Sequence, residues 1–223
     1  MRAILHVTQM PVRCRRLIFS ERGWLSLRMR AGKNPPVFFM AIKATVHKAT
    51  LQIADMDRNY YADHALTLAR HPSETDERMM VRLLAFALYA EEYLTFAQAM
   101  TSDDEPDLWC KDLTGAIQNW INVGLPDERI LRKASGRSKQ VVLITYGRSA
   151  DIWWRDNRDK LQRLNNLTVL KLAPADTLAL AAWAARNMAI QCSIQSRHLM
   201  LTSDAGMLEV SPDVLQGSFR EGM

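Results

Sequence analysis

From Ile42 to Ala54 the chain is rich in Ala, Thr, Val and Ile without helical punctuation, which predicts a strand. A turn cluster, Asp55-Met56-Asp57-Arg58-Asn59, follows it. Tyr60 to Arg70 predicts a second strand, with Ala65, Thr67 and Ala69 alternating with His64, Leu66 and Leu68. The two form an antiparallel hairpin. Then the period changes. His71-Pro72 stops the strand, and Ser73 is the expected N-cap, with Asp76 three residues on. Met80, Leu83, Leu84, Ala87 and Leu88 make an apolar helical stripe that runs toward Phe96. Glu74, Asp76 and Glu77 suit the positive end of that helix.

Thr101 to Glu105 is an acidic loop leading into PDLWCKDLTGAIQNWINVG, residues 106–124. One apolar run starts at Asp107, turns at Thr114-Gly115 and returns as Ala116 to Val123. Alternation in the returning run separates Ile117, Ile121 and Val123 from Gln118, Trp120 and Asn122. Leu125-Pro126-Asp127 opens a second helix that stops near Ser135-Gly136. VVLITYG then reads as a strand buried on both faces. Ser149 caps a helix over residues 150–164, and LTVLKL is another buried strand. Pro174 opens an alanine-rich helix through about Met188. Residues 190–211 predict three short strands with turns at Ser196-Arg197 and Ser203 to Gly206. The class is α/β: a mixed central sheet flanked by helices, with an antiparallel N-terminal hairpin and a C-terminal β meander.

Charge changes the picture at the N-terminus. Residues 1–39 hold eight Lys or Arg and one Glu, so of the formal +5 the body from residue 40 carries −2. A basic stretch ending in Lys33-Asn34-Pro35-Pro36 is an extension to a single domain over 40–223. It lacks the apolar core and cleavage site of a signal peptide, and its scattered bulky residues fit a transit peptide poorly. The reading we adopt is a start called too early, with Met40 as the first residue. Three scattered cysteines suit a reduced, cytoplasmic protein. Five dispersed histidines argue against a zinc site, and no apolar run is long enough to span a bilayer.

An acid at one strand end facing amides on the next strand is a way to build an oxygen cage for a hard cation, so Asp107 with Gln118 and Asn122 marks the candidate centre. KATVHKATLQIADMDRNYY, TLARHPSETDERMMVRLLAFAL, SDDEPDLWCKDLTG and WINVGLPDERILRKASGR together resemble the YaeQ family of bacterial proteins over residues 40–212. That family is similar in fold to the PD-(D/E)XK nucleases. The resemblance implies a first acidic motif at Pro106-Asp107 and an acid-x-lysine at Asn122-Val123-Gly124, where this chain has an amide and a glycine. It further implies Lys133 or Lys139 as a migrated lysine and Glu77 as an additional carboxylate.

Two functions follow. In one, the chain is a magnesium-dependent phosphodiesterase acting on nucleic acid. Asp107, Glu77 and Asn122 would hold Mg²⁺, Lys133 or Lys139 would orient the attacking water, and Gln118, Trp120 and Arg132 would contact nucleic acid. In the other, the metal site has decayed and the fold serves as a binding or regulatory module for nucleic acid or a protein. Plainer roles compete at each position. Buried amides are commonly satisfied by neighbouring backbone, tryptophans pack, and Arg132 and Lys133 suit a solvated helix face.

Overall fold

A computed structural model describes residues 44–97 and 105–220; the basic extension and residues 101–104 of the acidic loop lie outside the described residues. Strands β1 (Thr45–Asp55) and β2 (Tyr60–Arg70) pair antiparallel from Thr45 opposite Arg70 to Asp55 opposite Tyr60, as the alternation requires. The first helix, α1, covers Asp76–Tyr89 and is capped by Thr75, not Ser73: the Thr75 hydroxyl accepts the Arg78 N–H at 3.1 Å. Ser73 belongs to a separate turn, in which its hydroxyl meets His71 and the Glu74 N–H bonds to the His71 carbonyl. The stripe ends at Tyr89, because Ala90 leaves helical geometry and Phe96 falls in a short strand, β3 (Leu94–Phe96). Phe96 still meets the helix, stacking on Phe86 with ring centroids 5.5 Å apart.

Strands β4 (Leu108–Lys111) and β5 (Ile117–Val123) form the hairpin of the 106–124 stretch. Next come α2 (Glu128–Ser135), β6 (Ser138–Thr145), α3 (Ala150–Leu161), β7 (Leu167–Lys171) and α4 (Pro174–Ala181). Four strands close the described chain: β8 (Asn187–Gln195), β9 (His198–Ser203), β10 (Gly206–Val210) and β11 (Asp213–Gln216). The alanine-rich helix stops well before Met188. From Lys48 opposite Asn187 onward, β8 pairs in parallel with β1, and a full row of ladder bonds outweighs alanine's helical preference.

That pairing joins the hairpin and the meander into one five-stranded sheet, in the order β10-β9-β8-β1-β2. A second sheet runs β11-β7-β6-β5-β4-β3, and its three parallel strands are connected through α2 and α3. The α/β class therefore stands, with two mixed sheets and four helices among the described residues. Helix α1 is buried continuously from Met79 to Tyr89, the mark of a helix enclosed on all sides. It shares one core with Leu51 and Ile53 of β1, Ile190 of β8, and Ile121, Val142, Ile144 and Leu170 of the six-stranded sheet. On that sheet's other face Trp120, Val141, Leu143 and Val169 meet Leu131 and Ala134 of α2 and Leu161 of α3. Strand β6 thus sends alternate residues into two cores, as its continuous apolar run predicts.

Candidate functional site

Asp107 sits just before β4, where the strand runs out while β5 continues. Its backbone N–H bonds to the Ile121 carbonyl, and its carboxylate takes over the next ladder position, with Oδ2 accepting the Val123 N–H at 2.7 Å. The other oxygen turns toward α1 and accepts Arg78 Nη2 at 2.7 Å, with Arg82 Nε 3.7 Å away. Glu74 completes the group. Arg82 Nη1 donates to both its oxygens, at 2.9 and 3.1 Å, and Arg78 Nη1 reaches it at 3.2 Å. Glu74 and Asp107 are each 8% exposed and Arg82 2%. Two carboxylates and two guanidiniums thus close on one another, and their formal charges cancel.

Tyr146, one residue past β6, is half-buried within electrostatic reach of this group. Burial pushes its phenol up to about 12; Arg78 pulls it back, while Glu77, Asp107 and Glu74 push it further. Burial also works against the charge on Arg78, but Asp107 and Glu74 together outweigh it and hold the guanidinium above its ordinary value. The group lies at the carboxyl ends of the parallel strands β5 and β6, the edge at which open α/β sheets commonly place their sites.

The residues expected to share a site do not all come here. Asn122 lies on the far face of the sheet, where its Oδ1 accepts the indole N–H of Trp120. Trp120 is fully buried against α2, so its ring is not presented to a base. Gln118 is held at the hairpin end by Asp112, at 2.7 Å. Lys133 and Arg132 are exposed on α2, across the sheet from Asp107, and Arg132 pairs with Glu128. Lys139 lies five residues before Ile144, the partner of Val123, which puts it about 17 Å along the strand from the Asp107 end. Glu77 is near Tyr146, but its Oε1 accepts the Thr177 hydroxyl of α4 at 2.7 Å.

These positions do not fit a magnesium cage. Asp107 spends both oxygens on a guanidinium and a backbone N–H, and Asn122 is on the opposite face. The two positive charges beside Asp107 remove the negative potential that a dication needs. Among the described residues no three His, Cys, Asp or Glu side chains are grouped to hold a metal ion. At Gly124, where the resemblance implies a lysine, the backbone has φ +108°, which L side chains rarely adopt.

The sequence reading missed Arg78, Arg82 and Tyr146. A signal existed: Glu74, Arg78 and Arg82 stand at four-residue spacing, with the acid just ahead of the α1 cap and the two arginines one turn apart on the helix, a spacing that suits ion pairs. It also missed Asn119, buried on β5, whose Nδ2 donates to Glu91 at 2.7 Å.

Fold and site define a two-sheet α/β protein with an ion-paired carboxylate centre at the ends of its parallel strands. A family model described as YaeQ protein matches residues 40–212, and the chain belongs to the YaeQ family. The YaeQ protein of Escherichia coli (strain K12) is 46% identical over 173 residues, spanning 77% of this chain and 96% of that protein. The Salmonella typhi YaeQ protein is 44% identical over 172 residues, with 77% and 95% covered. The crystal structure of YaeQ from Xanthomonas axonopodis pv. citri superposes with a TM-score of 0.76 at 48% identity, covering 79% of this chain and all of that one. That of Pseudomonas syringae YaeQ gives 0.76 at 34% identity, covering 78% and 97%. Among the described residues no helix is long and apolar enough to cross a membrane.

Proposed function

We propose that this chain is a nuclease-fold module that binds nucleic acid through its backbone phosphates without hydrolysing it. The observation that carries the reading is a division of charge between the two faces of the six-stranded sheet. On the α1 face, of the carboxylates that hydrolysis would use, Asp107 is committed to Arg78 and the Val123 N–H, and Glu77 accepts the Thr177 hydroxyl. On the other face, residues 125–166 hold ten Lys or Arg against five Asp or Glu, and all ten are exposed. Charge of this kind, on helices α2 and α3 and the turns beside them, suits a phosphate backbone and carries no base-specific readout.

The test is fluorescence anisotropy with a short duplex and a single-stranded oligonucleotide, with and without Mg²⁺. Contact with about four phosphates predicts an affinity that falls roughly a hundredfold between about 50 and 200 mM salt. Charge reversal at Arg132 and Lys133 weakens binding more than tenfold and flattens that slope. Salt-independent binding, or none, overturns the proposal. So does Mg²⁺-dependent cleavage of the probe that disappears in Asp107→Asn, which selects the phosphodiesterase instead.

A further inference from the structure

The far end of α1 carries a second buried charge cluster that the proposed function does not use. Asp55, the last residue of β1, is fully buried, and both its oxygens are saturated. Oδ1 accepts the backbone N–H groups of Asp57 and Arg58 at 3.1 and 3.3 Å. Oδ2 accepts Arg58 Nε at 2.8 Å and Arg220 Nη1 at 2.6 Å. Two guanidiniums therefore share a single carboxylate oxygen, and the cluster carries an excess of one positive charge. Among the described residues Asp57 also acts electrostatically on Arg220, but its oxygens are taken as hydrogen-bond acceptors by the N–H groups of Ser196 and Arg197 at 2.7 and 3.1 Å.

The cluster is short of acceptors. Arg58 Nη2, Arg220 Nε and Nη2, and the Tyr89 hydroxyl are all buried without a hydrogen-bond partner. Tyr89 is fully buried at the end of α1, and Arg220 is 8% exposed with a backbone φ of 58°. A long side chain is not usually held at positive φ unless its surroundings fix it there. Burial raises the Tyr89 phenol, and the charges of Arg220 and Arg58 work against that rise, which places all three groups in one neighbourhood. Unsatisfied buried donors are costly, and a surplus buried charge is costlier. One group with several lone pairs and a negative charge would answer both.

We propose that Arg58, Arg220 and Tyr89 form a binding site for a small inorganic anion. Asp55 fixes the two guanidiniums by one edge each and leaves their other N–H groups for the ligand, with the Tyr89 hydroxyl as a further donor. Entry is beside Arg58, whose side chain is 17% exposed. A bound anion ties the β1–β2 turn, the end of α1 and the last described residue of the chain together. The site's role is then to make their docking depend on anion concentration.

Chloride is the probe, with phosphate as competitor, on the full chain at constant ionic strength. The ³⁵Cl NMR line is expected to broaden with the wild-type protein and to sharpen again as phosphate is added. Thermal unfolding should shift upward in proportion to the logarithm of anion concentration above its dissociation constant, by about 5 °C at roughly twentyfold excess. Arg220→Met should abolish both effects. Tyr89→Phe should fold and weaken binding severalfold, which keeps the test open if Arg220→Met does not fold. Arg132→Ala/Lys133→Ala should change neither, separating this site from the α2 surface. No line broadening by the wild-type chain, or broadening that survives in both Arg220→Met and Tyr89→Phe, overturns the proposal, and ordered water then fills the place.

Discussion

The two ends of α1 carry the same chemistry in different proportion. At the amino end Glu74 and Asp107 meet Arg78 and Arg82, two acids to two bases, and the carboxylates are held by guanidiniums and a backbone N–H. At the carboxyl end one acid, Asp55, stands between Arg58 and Arg220, with donors left over. In the balanced cluster the charges cancel, with Arg82 Nε reaching Asp107 only as an ion pair at 3.7 Å, and its worth lies in fastening α1 to the end of β5. An unbalanced cluster of similar burial still needs something from outside. What separates the two is the count of acceptors, since the residue types are nearly the same.

The largest break in this comparison is Asp107→Ala. It strands the Val123 N–H and takes one of the two carboxylate partners of Arg78, and should cost about 3 kcal/mol, read from urea unfolding. Asp107→Asn keeps an oxygen for Val123 and should cost clearly less; equal losses in the two variants would show that the Val123 bond contributes nothing. Arg220→Met in anion-free buffer should cost only about 1–2 kcal/mol, because Arg58 still holds Asp55 and surplus donors leave with the side chain. A loss as large as that of Asp107→Ala would erase the distinction between the two ends. The smallest effect concerns Asp57, whose carboxyl is held below its ordinary value, chiefly by the backbone N–H groups of Ser196 and Arg197. Its contribution is present above the unfolded value of about 4 and fades as pH falls through the lower folded value. Asp57→Asn should flatten the stability–pH curve in that acidic window and lower the stability at neutral pH, where only the slope of the curve stays unchanged.

How much of this could be read from the chain depends on distance along it. The β1–β2 hairpin was legible because alternation and a turn cluster are local, and β6 because a continuous apolar run has one natural home. Helix α4 was overextended because β8 is claimed by β1, from Lys48 to Asn187, and no short window contains that pairing. The site went the same way. Alternation correctly set Trp120 and Asn122 apart from Ile121 and Val123, but it does not say what covers each side. Asp107 reads as a metal ligand in the sequence because Arg78, which donates to its Oδ1, lies 29 residues earlier on a helix.

By itself the sequence determined the elements, the class and the membership of the YaeQ family, since each rests on local period or on runs of matching residues. Only the tertiary structure decided that Asn122 and Asp107 look away from each other, that two arginines stand where positive charge was expected from a metal, and that Arg220 comes to rest against Asp55. Ion pairs and strand ladders between distant segments depend on which surfaces meet when the core closes. Neighbouring residues carry no imprint of that choice.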